Sequence, residues 1–106
     1  MTTEHRKEVR QATKVAFDVD CTLIDRLSRP VLPVINVLDW FVRGGFDVIV
    51  WSGCGVDYAE MWARKLGFDG LVRCIDKGSE NVDLTFDDMV ITLGKANICV
   101  SDVGGK

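Results

Sequence analysis

The segment Phe17-Asp18-Val19-Asp20-Cys21-Thr22-Leu23 sets two carboxylates one residue apart, directly after the apolar run Val15-Ala16-Phe17. On an extended chain, residues two apart point to the same side, so Asp18 and Asp20 would stand close together. Like charges at that spacing repel, and a cation, a shared proton or a bound reactant must hold them there. Otherwise the pair is an ordinary Asp-rich turn at a strand end. Later apolar runs end in the same manner. Ser52 follows Val48-Ile49-Val50-Trp51, and Asp87-Asp88 follow the run 82–86, with Lys77 in the loop before it. Acids converging in this way need a hard divalent cation, and carboxylate oxygens suit magnesium. Magnesium held by carboxylates keeps waters and takes phosphate oxygens as ligands. The Ser52 hydroxyl and the Lys77 ammonium are the donors that would hold the remaining oxygens of such a phosphate.

These residues meet only if the intervening elements bring them to one edge. Five short apolar segments, 15–18, 47–51, 71–75, 82–86 and 96–100, alternate with two amphipathic helical patterns. That alternation predicts an α/β fold, a Rossmann-like three-layer arrangement with a five-stranded, mainly parallel sheet and helical crossovers. Most of the strands are too uniformly apolar to have one face in water. The first helix is expected to begin at Pro30 or Pro33 and to stop at Gly44-Gly45, with Ile35, Leu38, Phe41 and Val42 as its buried stripe. The second spans 56–66, with Val56, Ala59, Ala63 and Leu66 on one face and Gly67 as its cap. Trp40 and Trp62 read as packing residues. The stretch 87–94 has room for a couple of helical turns before the last strand.

With 106 residues the chain makes one domain with a core of modest size. Its 47% hydrophobic and 27% charged fractions are those of an ordinary globular protein. The apolar runs are far too short to cross a bilayer. Residues 1–14 are polar and lack the apolar core of a secretory signal, so a cytoplasmic protein is expected, with an N-terminal arm (1–14), a folded domain (15–100) and a polar tail (101–106). The four cysteines form no Cys-x-x-Cys pair, and the only histidine, His5, lies in the arm, which speaks against a zinc site. Cys74 and Cys99 read as small, buried, reduced hydrophobes. A net charge of −3 argues against a protein that coats nucleic acid. It leaves room for a local basic patch drawn from Arg26, Arg29, Arg73 and Lys77.

The order of the motifs resembles that of the haloacid dehalogenase-like phosphohydrolases: Asp18-Val19-Asp20-Cys21-Thr22 after the first strand, Ser52 after the second, Lys77 before the fourth and Asp87-Asp88 after it. The resemblance covers roughly 15–100 and rests most on the first and fourth motifs together. It implies a magnesium-dependent phosphatase in which Asp18 is the nucleophile and Asp20 the general acid and base. Asp18 and Asp87 would ligate the metal with the backbone carbonyl of Asp20. Asp88 would be a further metal partner, directly or through water, or else an acid at a helix start. Thr22 would orient the loop, and Cys21, Thr22, Gly53 and Arg26 would border the substrate. Cys21 stands where the family often has glycine, and Arg73 is close enough in sequence to share the part given to Lys77. No insertion is long enough for a cap domain. An open site of that kind suits a phosphate on a protein or a nucleic-acid end, unless the N-terminal arm or, in a dimer, the neighbouring subunit supplies a lid. Two other classes fit part of the pattern: a receiver-like domain that accepts a phosphoryl group, and a non-catalytic binding module of the same fold.

Overall fold

After Lys14, every residue of the first strand is buried, and Val15, Ala16 and Phe17 have no exposed surface at all. Only a strand covered on both faces allows that. This strand is β1 (Lys14–Asp18), the centre of a five-stranded sheet in the computed structural model, which describes residues 12–100. The chain continues through α1 (Leu32–Arg43), β2 (Asp47–Ser52), α2 (Val56–Lys65), β3 (Arg73–Asp76), β4 (Val82–Asp87) and β5 (Gly94–Cys99). Across the sheet the order is β3-β2-β1-β4-β5, and every pairing is parallel. All the carboxyl ends therefore share one edge, where open α/β sheets hold their ligands. The α/β, Rossmann-like plan without a cap is present. Of the arm, only Ala12, Thr13 and Lys14 lie within the described residues, and Lys14 already opens β1; the tail 101–106 lies outside them.

Both helices pack on one face. Val34 and Leu38 of α1 and Ala59 of α2 are buried in one cluster with Val15, Phe17, Val48 and Val50, and Ile35, Phe41 and Val42 border it. Pro33, not Pro30, sits in the first turn of α1, where its missing N–H removes no helical bond. Phe17 stacks on Phe86 at 4.6 Å, and Phe41 meets Phe17 edge-on at 6.2 Å. Contacts of this kind contribute about 0.5–1.5 kcal/mol each beyond the area they bury.

The alternate residues Ala16, Ile49 and Trp51 are fully buried on the opposite face. A short strap, 77–81, the loop expected to lead into the fourth strand, crosses that face. Lys77 is fastened at the carboxyl edge to Asp18 and Asp87, and Glu80 at the amino edge to Lys14 and Arg73. Gly78 has φ +81, and a Cβ there would come within 3.6 Å of Leu93. Glycine takes this left-handed turn without the penalty that other residues incur.

Several expectations fail towards the end of the chain. No helix forms between β4 and β5; Asp87 Oδ1 accepts the Met89 N–H at 2.9 Å and the chain turns directly into the last strand. Asn97 then holds the N–H and the carbonyl of Gly94. β5 is an exposed edge strand, with Ile98 44% and Cys99 also exposed, so neither the buried last strand nor a buried Cys99 is found. A strand with one neighbour and no described helix over it cannot be dry. Cys74 is half-buried, and burial pushes its thiol up. Trp62 packs against the core, whereas Trp40 leans on Phe41 at 5.1 Å and remains 64% exposed. No described helix is long and apolar enough to cross a membrane.

Candidate active site

Directly after β1 the chain coils around one oxygen. The Val19 carbonyl accepts the N–H groups of Thr22, Leu23 and Ile24 at 3.2, 3.0 and 3.2 Å. To make that turn Cys21 takes φ +62, a conformation that costs a non-glycine residue about 1–2 kcal/mol. Thr22, fully buried inside the coil, donates its hydroxyl to Asp18 Oδ2 over a long 3.4 Å. The loop beyond is closed by the buried Asp25 carboxylate, which accepts the N–H groups of Leu27 and Arg29 and the Arg29 Nε–H. Those bonds hold the Asp25 carboxyl below the usual carboxylate range.

Asp18 and Asp87 follow Phe17 and Phe86 in the strand alternation, so both point away from the helices. One carboxylate oxygen from each of Asp18, Asp87 and Asp88 lies within 4.8 Å of the others. Lys77 Nζ bridges the first two, 3.2 Å from Asp18 Oδ1 and 2.6 Å from Asp87 Oδ2. The second contact is an ion pair without the alignment of a hydrogen bond, which leaves a fully buried oxygen with charge beside it but no directed donor. Burial, and then the charge of Asp87, push the Asp18 carboxyl up to about 7 even though Lys77 pulls the other way. Burial and the hydrogen bond to Asp87 raise Asp88 as well. Burial alone would lower Lys77, but its close contact with Asp87 and the charge of Asp18 outweigh it and raise the ammonium above its ordinary value. Three carboxylates facing one ammonium are short of positive charge. A hard cation fits the donor set, which is all oxygen.

Asp20 points elsewhere. It is exposed, and its Oδ1 accepts the Tyr58 hydroxyl at 2.6 Å while Cys54 Sγ lies 4.0 Å from Oδ2. Sequence reasoning missed both neighbours. The buried stripe of α2 omits Tyr58, and nothing in the residue pattern ties a tyrosine in a first helical turn to a loop 38 positions earlier.

Ser52, 3% exposed, stands one residue beyond the Asp18–Trp51 register at the same edge, and its Oγ accepts the Cys54 N–H at 3.0 Å. Gly53 borders open space, with nothing within 4 Å of where a Cβ would stand. Arg26 is near enough for its charge to act on the Cys21 thiol, which burial and the charges of Asp88 and Asp20 nevertheless push up. Arg73 does not share the place of Lys77. It is bound at the amino edge by Asp47 at 2.9 Å and Glu80 at 2.6 Å, so Arg73 takes no part in the basic patch that the net charge left room for.

No protein-family model matches the chain, and comparisons with curated proteins and with solved structures find no significant match. Geometry therefore defines the site: a small α/β domain with a buried aspartate cluster, a lysine and a buried threonine at the end of its central strand. That arrangement is consistent with the haloacid dehalogenase-like fold.

Proposed function

We propose that this protein is a magnesium-dependent phosphomonoester hydrolase that works through an aspartyl-phosphate on Asp18. The observation that carries the reading is the convergence of Asp18, Asp87 and Asp88 at the carboxyl edge with Lys77 between the first two. Bound magnesium would balance the carboxylates and polarise the phosphoryl group. Lys77 and Ser52 hold the non-bridging oxygens of the substrate. An Asp18 oxygen attacks phosphorus opposite the ester oxygen, the ester P–O bond breaks, and Asp20 passes its proton to the departing oxygen. Water then attacks phosphorus and gives a proton back to Asp20, and the bond from phosphorus to Asp18 breaks to release inorganic phosphate. Asp20 is exposed, as a group that serves a leaving alcohol at an open mouth must be. Cys21, Gly53 and Arg26 border that mouth, and Thr22, fully buried, braces the coil behind it.

The test is a magnesium-dependent phosphatase screen over sugar phosphates, nucleotides, phosphopeptides and nucleic-acid ends. Asp18→Asn should abolish turnover, and Asp20→Asn should slow it by roughly two to four powers of ten. Retained turnover in Asp18→Asn would end the covalent reading. A receiver-like acceptor is disfavoured by the strand order. In that plan the acceptor strand is central, whereas here β3, which carries Asp76, is an edge strand. A silent binding module remains the outcome if the screen finds no turnover.

A further inference from the structure

Asp20 is exposed, and an exposed carboxylate samples several rotamers unless something holds it. Here the Tyr58 hydroxyl donates to Asp20 Oδ1 at 2.6 Å, the length of a strong charge-assisted bond. The donor is itself anchored. Tyr58 lies in the first turn of α2, next to Ala59, which has no exposed surface, and its ring packs against the main core. Its position is thus fixed relative to the sheet, while Asp20 sits two residues beyond β1 on a coiled loop. With Oδ1 occupied, Oδ2 is the oxygen left to exchange a proton. The Cys54 thiol lies 4.0 Å from it, a weak contact.

Resting on the phosphohydrolase reading above, we infer that Tyr58 is the positioning residue for Asp20: it fixes the carboxylate so that Oδ2 meets the oxygen of the leaving alcohol. The bond spans 38 positions of sequence, so it also ties the loop after β1 to α2. A purely structural tie would leave the chemistry indifferent to the leaving group. A positioning bond would not, because a misplaced acid harms most the substrates whose departing oxygen needs a proton.

The experiment compares kcat/KM for a series of aryl and alkyl phosphates in the wild type, Tyr58→Phe, Asp20→Asn and the double variant, with thermal melting as the folding control. Tyr58→Phe keeps the ring and should fold. Its kcat/KM should fall about tenfold for alkyl phosphates and less than about twofold for nitrophenyl phosphate, and it should add almost nothing in the Asp20→Asn background. A loss equal across leaving groups, or one fully additive with Asp20→Asn, would overturn the inference. So would an unchanged rate. If the wild type hydrolyses no phosphate in the series, the phosphohydrolase reading falls and this inference with it, an outcome separate from a wild type that works and a Tyr58→Phe variant that works equally well.

Discussion

Asp18 shares a half-dry pocket with Asp87, Asp88 and one ammonium, and its carboxyl is held at about 7 against an ordinary 3.8. Between those values the folded, metal-free protein binds more protons than the unfolded chain, so its stability falls as pH rises through that window. Magnesium needs the ionised carboxylate, so the stabilisation it confers should grow over the same window. Thermal melting of the wild type with and without magnesium, from pH 5 to about pH 8, should show the metal-dependent rise increasing with pH. In Asp87→Asn that rise should be largely lost, and an equal rise in both proteins would remove the proposed metal site. The residues of this cluster were legible because each closes an apolar run, and a parallel sheet brings such ends together. Lys77 and Arg73 could not be told apart in sequence. Only the course of the strap shows one at the carboxyl edge and the other bound to Asp47 and Glu80. Tyr58 left no trace in the pattern, since its partner is set by the coil of a loop and not by any periodicity.

Among the elements, the strap 77–81 carries an unusual burden, since it covers a sheet face and delivers Lys77 with so few residues. Its lower fastening is Glu80, whose carboxyl is pulled down to about 2 from 4.5, first by the hydrogen bond to Arg73 and then by that to Lys14. A depressed carboxyl contributes its stability above its unfolded value and loses it as pH falls through the folded one. Glu80→Gln should therefore melt below the wild type at neutral pH, and the gap should close as pH falls from about 4.5 to about 2. A gap that stays constant across that range would show that the fastening is not ionic. The central strands and both helices were readable from uniform apolar runs and from helical spacing capped by proline and glycine. β5 was not, because an apolar run does not tell an edge strand from a central one. The missing turns after β4 were not legible either, since Asp87 holding the Met89 N–H is an arrangement that opens a helix and a tight turn alike.

For the molecule as a whole, the decisive feature is what stands over the carboxyl edge. Only the small loop 23–31 follows the first motif, closed by the Ile24–Pro30 bridge and the Asp25 carboxylate, and α2 leads to β3 through a short turn. Neither connection forms a lid. With no lid among the described residues, water is not excluded by them and a small substrate is gripped mainly by its phosphate, so specificity must come from contacts outside that pocket. Arg26 is close enough to act on the Cys21 thiol, Arg29 is bonded to Asp25, and Arg73 is held at the far edge. Small phosphomonoesters should accordingly show KM values above about 1 mM, the upper end of the common range, with lower values for a phosphate carried on a protein or a nucleic-acid end. Steady-state kinetics on matched small and macromolecular substrates, run with a measurement of mass in solution, decide the point. A micromolar KM for one small sugar phosphate in a monomer would overturn the open-site argument, whereas the same value in a dimer would mean that the neighbouring subunit closes the mouth.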